Sequence, residues 1–128
     1  MFCRIIRGEL PAFVLAQTND LIVFVSKNNH PMVVPKRHAP DIYTLDEATA
    51  AAILPMAKRV ARALKAALAC EGVYLTQANE PAAGQDVFHF HLHVYPRWHN
   101  VPFQTQQMSG EVTVAERQAT LDRLLAVW

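Results

Sequence analysis

Residues 88–97 read FHFHLHVYPR, and within them His89, His91 and His93 alternate with Phe90, Leu92 and Val94. Strict alternation of this kind is the pattern of a β-strand with two unlike faces. Side chains two apart in a strand point the same way. The spacing therefore predicts three imidazoles on one wet surface, with Phe90, Leu92 and Val94 directed into a core. Pro96, which has no N–H to give to a ladder, is expected to close the run. Such a surface can be the polar side of an amphipathic strand, a metal site, or a set of acid–base and nucleophilic groups working on a substrate laid across it. The metal reading is limited by length. At about 3.3 Å of rise per residue the outer two Cβ atoms stand about 13 Å apart, whereas zinc takes nitrogens at about 2.0–2.1 Å. A neighbouring pair can share an ion, but all three cannot without strong bending.

The other chemistry-bearing residues gather near this strand. All six histidines fall within residues 30–38 and 89–99. The first block, HPMVVPKRH, brackets a strand with His30 and His38 and puts Lys36 and Arg37 near its end. Brought together, the two blocks would build an anion-binding pocket. Ala82, Ala83 and Gly84 let backbone N–H groups approach a ligand closely, and Gln85 adds an amide able to donate to a phosphoryl oxygen. Taken singly these signals are weak, since an A-G-Q tripeptide is usually a turn and a Lys-Arg pair is usually solvated.

The elements that must position these residues follow from pattern. Residues 2–7 and 12–17 read as short strands around a turn at 8–11, and residues 21–26 as a third strand rich in β-branched and aromatic side chains. Residues 32–34 form a fourth, stopped by Pro35. Thr44 with Glu47 has the spacing of a capping box for a helix running to about Cys70. Its apolar stripe is Ile53, Met56, Val60, Leu64 and Leu68, which is core rather than a binding face. Pro55 should kink or break that helix, and Gly72 should stop it. Residues 73–77 read as a strand and 79–86 as a loop. Residues 99–110 read as irregular. Thr113 and Glu116 form a second capping box, before a closing helix with Leu121, Leu124 and Leu125 on its inner side. Strands, helix, strands, helix make an α+β fold with a largely antiparallel sheet.

Bulk properties exclude several functions. The chain has 128 residues, 52% of them hydrophobic, which suits a single domain spanning residues 1–128. A formal net charge of +1 argues against nucleic acid as partner but leaves room for a small anionic ligand. Cys3 and Cys70 lack C-x-x-C spacing, so no disulfide framework is expected and a reducing cytoplasm is the default compartment. Arg4, Arg7 and Glu9 interrupt any leader-like apolar run. Lys58, Arg59, Arg62 and Lys65 do the same for a membrane span in residues 48–70.

Taken together, these blocks resemble the histidine-triad (HIT) hydrolases and transferases. The motif His-x-His-x-His followed by two apolar residues is His89, His91, His93, Val94 and Tyr95 here. The run NEPAAGQDVFHFHLHVYPR is similar to the family's loop-plus-strand signature. HPMVVPKRH is similar to its earlier strand block, with Asn29 where glycine is usual. The resemblance covers about residues 2–100 and leaves the helical extension at about 111–127 outside it. It implies a HIT-like five-stranded, largely antiparallel sheet with one long helix packed on it and a C-terminal helix. It implies cleavage of nucleoside 5′-phosphoramidates or dinucleoside polyphosphates through a covalent nucleotidyl-histidine on His91, with a purine-type nucleotide as ligand. His89 and His93 complete the catalytic set, and Asn79, Gly84, Gln85, His93 and His30 are the implied substrate-binding residues. His38 and His99 receive no role, His99 reading as solvated surface. A nucleotide-binding regulatory module with little turnover is the alternative.

The resemblance also implies a homodimer and no cofactor in the reaction. Some members hold a structural zinc with an N-terminal C-x-x-C and histidines. Cys3 matches the second cysteine, but the first would lie before Met1, so zinc is not expected. Two departures bear on substrate. No acid stands in residues 21–29, where the family usually holds the ribose hydroxyls with Asp, so either Ser26, Asn28 or another group takes that role or ribose recognition is weaker. Asp86 stands where some branches place Ser or Thr against phosphate.

Overall fold

The computed structural model describes residues 1–102 and 111–128. In chain order the elements are α1 (Phe2–Ile6), β1 (Phe13–Gln17), β2 (Leu21–Val25), β3 (Pro31–Pro35), α2 (Glu47–Leu68), β4 (Gly72–Thr76), β5 (Leu92–Arg97) and α3 (Val114–Leu125). The five strands form one sheet in the order β1-β2-β3-β5-β4, and each neighbouring pair is antiparallel. The α+β architecture anticipated above is therefore the one observed. Most of the irregular stretch at 99–110, from 103 onward, lies outside the described residues.

All five residues of β2, and all five of β3, are buried. Alternation explains how one strand fills two cores. Leu21, Val23, Val25 and Val33 pack with Ile53, Val60 and Leu64 of α2 and Leu121 and Leu124 of α3. Ile22, Phe24, Met32 and Val34 face the other way and pack on Phe2, with Ile5 and Ile6 beside it. Residues 2–7 are thus not the strand their composition suggests. Phe2, Ile5 and Ile6 have the i, i+3, i+4 spacing of a helix face, and the short helix lays that face on the sheet.

The long helix is capped by Asp46 rather than Thr44. Asp46 takes an extended backbone and its carboxylate accepts the N–H of Thr49 at 3.2 Å. Thr44 instead closes a turn on Asp41. Helix α2 runs through Pro55 without interruption. Pro55 lies on the exposed side, as does Ala51, so the Ala51 carbonyl that loses its partner can be hydrated. The helix ends on Ala69 in the left-handed region, and Gly72 begins β4 instead of stopping the helix. The capping box of Thr113 and Glu116 forms as expected. On α3, Leu121 and Leu124 are buried, but Leu125 is exposed, one residue past the face that meets the sheet.

Candidate active site

β3 and β5 bring the two histidine blocks together, with Met32 opposite His93 and Val33 opposite Leu92. The strand starts at Leu92 rather than at His89, and Pro96 lies inside it, paired with Val73. Alternation still holds through the bend that precedes it. Phe90 and Val94 enter the core against α2, while the histidines lie on the opposite side. That side is not wet. Phe2 stands edge-on to both His89 and His91, at centroid distances of 5.9 and 5.1 Å. His30, His89 and His91 are accordingly buried.

Hydrogen bonds assign each ring a task. A carbonyl oxygen can only accept, so the 2.7 Å contact from His91 Nδ1 to the His89 carbonyl puts the proton on Nδ1. The lone pair of the neutral ring is then on Nε2, and the ring lines the cleft. By the same logic His89 donates Nε2–H to the Pro35 carbonyl at 2.7 Å, leaving Nδ1 unprotonated. His30 Nε2 lies 2.8 Å from His93 Nδ1, so the remaining nitrogen of His93 is the one free for a ligand. Ser26 Oγ, which accepts the N–H groups of Asn28 and His30, sits 3.0 Å from His30 Nδ1. Tyr95 stacks on His30 with centroids 3.9 Å apart.

Burial decides the charge of this group. His30 is pushed down to about 3, first by desolvation and then by His93, with a backbone hydrogen bond to Asn28 opposing the shift. His93 is pushed down to about 4, again by desolvation first and then by His91, while Asp86 opposes. Desolvation also lowers His89, against the pull of the Pro35 carbonyl. His30 and His93 are therefore neutral at pH 7.

Two cavities meet at these rings. One of about 270 Å³ is lined by Thr76, Gln77, Gly84, Gln85 and Tyr95, and one of about 400 Å³ by Phe2, Ile5, Phe24, Met32, Lys27 and Arg117. Both include Asn28, Asp86, His91 and His93.

Of the substrate-binding residues expected from sequence, His30, His93, Gly84 and Gln85 come together, but two of the expected polar groups are already engaged. Gln85 donates Nε2–H to the carbonyls of Pro40 and Val87 and accepts the Glu80 N–H at 2.6 Å. Both ends of its amide thus brace the loop instead of standing free for a phosphate. That brace holds Glu80 at φ 75° and ψ 154°, a region nearly confined to glycine, and Gly84 follows at φ 94°. Asn79 is not among the residues lining either cavity. It accepts the Ile42 N–H at 2.8 Å and exchanges hydrogen bonds with Gln77. Asn29 takes the left-handed backbone at φ 67°, which asparagine tolerates better than most residues, and so closes the β2–β3 turn without glycine.

Sequence reasoning left His38 unassigned. Its Nδ1 lies 3.1 Å from His89 Nδ1 and 3.7 Å from Cys3 Sγ, and Cys3 Sγ lies 3.6 Å from His89 Nδ1. Tetrahedral zinc would space two such nitrogens about 3.3 Å apart and nitrogen and sulfur about 3.6 Å apart. The three donors fit that ion, and the Pro35 carbonyl holds His89 in the tautomer a ligand needs. No fourth His, Cys, Asp or Glu joins them among the described residues. His99 stays on the surface beside Glu71.

The HIT domain family model matches residues 7–100. The chain belongs to the HIT family. This HIT chain is 33% identical over 101 residues to adenosine 5′-monophosphoramidase hnt1 of Schizosaccharomyces pombe, covering 76% of this chain and 73% of that one. Its fold is that of a Hit-like protein from Bartonella henselae, with a TM-score of 0.90 at 24% identity, covering 99% of this chain and 94% of that chain. A Zn-bound histidine triad family protein from Mycobacterium smegmatis superposes with a TM-score of 0.84 at 28% identity, covering 98% and 89%. No helix among the described residues is long and apolar enough to cross a membrane.

Proposed function

We propose that this HIT protein hydrolyses or transfers nucleoside 5′-monophosphates from phosphoramidate or dinucleoside polyphosphate substrates through a covalent nucleotidyl-His91. The observation that carries the reading is the 2.7 Å hydrogen bond from His91 Nδ1 to the His89 carbonyl. It leaves Nε2 as nucleophile and supports the charge that develops on the ring during attack. Splitting the displacement into two steps lowers each barrier. His93, held by His30, lies beside His91 with ring centroids 4.8 Å apart and offers its cleft-facing nitrogen to the phosphoryl group. The larger cavity, walled by Phe2, Ile5, Phe24 and Met32, suits a purine. The phosphoramidase name of the yeast relative agrees with this chemistry.

Zinc, where bound, would be held by Cys3, His38 and His89 and would supply a cross-link between α1 and the loops flanking the sheet. No step of the reaction passes through it. We further propose that the chain forms a homodimer, with α2 and the neighbouring strand β4 as the interface.

Intact-protein mass spectrometry tests the reading. Wild type, His91→Ala and the slow-release variant His93→Asn are each mixed with an adenosine phosphoramidate and quenched without acid. A mass increase of one nucleoside monophosphate on wild type or His93→Asn, absent from His91→Ala, is expected. Nucleotide binding with neither adduct nor hydrolysis would favour the regulatory binding module instead.

A further inference from the structure

The cations of the cleft belong to one lobe. The larger lobe has apolar walls and includes Lys27 and Arg117, while Asp86 lines both lobes. The smaller lobe is lined by Thr76, Gln77, Gly84, Gln85, Tyr95 and the shared residues, and Asp86 is the one charged side chain in that lining. Asp86 is exposed and pairs with no Lys or Arg among the described residues. Its charge is nonetheless felt at the reaction centre, where it opposes the lowering of the His93 pKa. Once a base fills the apolar lobe and phosphorus lies against His91, the group opposite the attacking nitrogen must leave in line. The smaller lobe is the space available to it.

We propose that this smaller lobe selects the leaving group by charge and that Asp86 makes the selection, so that the preferred substrate is a nucleoside 5′-phosphoramidate whose departing amine bears a second, cationic group. This rests on the phosphoramidate reading above and narrows it. A dinucleoside polyphosphate would bring an anionic leaving group into a lobe that offers it a carboxylate and no cation. A cationic amine meets one opposite charge at short range and no like charge. In the step itself, His91 Nε2 forms a bond to phosphorus as the bond from phosphorus to the amine nitrogen breaks. The electron pair stays on the departing nitrogen, which takes one proton from solvent. Water then attacks phosphorus, the pair in the bond to Nε2 returns to the ring, and one proton goes back to solvent. The net change is one water consumed, with a nucleoside monophosphate and an amine released.

The test compares three adenosine 5′-phosphoramidates of matched length, made from 1,4-diaminobutane, butylamine and 4-aminobutyrate. They present a cationic, a neutral and an anionic leaving group. The kcat/KM of each is measured on wild type, Asp86→Asn and Asp86→Lys, with melting curves confirming that each variant is folded. Wild type is expected to favour the cationic over the anionic substrate by about 100-fold, about tenfold for each unit of charge near a protein surface. The ratio should fall toward one in Asp86→Asn and invert in Asp86→Lys. An unchanged ratio in Asp86→Asn, or a wild type that prefers the anionic substrate, overturns the proposal while leaving the hydrolase reading in place. Cleavage of none of the three by wild type removes the phosphoramidase reading itself, and the charge filter with it.

Discussion

His30 Nε2 and His93 Nδ1 lie 2.8 Å apart although 63 residues separate them in the chain. The contact joins the turn after β2 to the start of β5, and it sets which nitrogen of His93 faces the cleft. His30→Ala leaves His93 free to rotate, and the proposed reaction depends on positioning. A loss in kcat of about 100-fold is expected, with KM little changed, because His30 acts on substrate only through His93. A rise in KM with kcat preserved would show that His30 serves binding instead.

Stability should depend on pH in a defined direction. The native rings of His30 and His93 titrate at about 3 and about 4, below the ordinary 6.5. As pH falls through 6.5 the unfolded chain takes up protons that the native chain refuses. Stability is therefore full above about 6.5 and is lost as pH falls toward 4, by an amount on the order of a few kcal/mol. Urea melts between pH 7.5 and 4.5 measure this. His30→Asn should flatten the slope, and an equal slope in that variant would place the acid sensitivity elsewhere.

Asp46 and Thr44 separate two accounts of how α2 starts. Asp46 accepts the Thr49 N–H, so Asp46→Ala should cost about 1 kcal/mol. Thr44→Ala removes only the hydroxyl's two bonds to Asp41 within an exposed turn and should cost less. Chemical denaturation of the two variants side by side decides. Equal losses would return the cap to Thr44.

Phe2 anchors α1 over the rings of Phe24, His89 and His91. Phe2→Ala should weaken nucleotide binding, because Phe2 is also a wall of the larger cavity. Leu64→Ala, at a fully buried site of the opposite core, should cost about 2–5 kcal/mol and leave affinity unchanged. Isothermal titration with adenosine monophosphate and thermal melts of both variants give the comparison. Equal affinities in the two variants would remove Phe2 from the binding site.

Much of this was legible along the chain because the signals are local. The alternation in HFHLHV sends Phe90 and Val94 to one side and the histidines to the other, whether or not the ladder reaches His89. Thr113 and Glu116, three residues apart, form the capping box their spacing announces. From β1 onward, the order of strands and helices follows from signals that each segment carries by itself. The HIT motif is equally local, since the spacing of His89, His91 and His93 requires no partner element to be read.

Tertiary structure alone decided the rest. Whether the histidine face is wet depends on α1 lying across it, and residues 2–6 are too few to declare a period. Cys3 meets His38 and His89 across separations of 35 and 86 residues, and no local pattern encodes such a meeting. Gln85 looked like a free donor because sequence shows which groups a side chain carries, not which carbonyls will claim them; Pro40 lies 45 residues away. Residue type and spacing thus determined the fold class and the gathering of three imidazoles on one face. Packing between distant segments decided which of those atoms are buried, which are already bonded, and which remain free to meet a substrate.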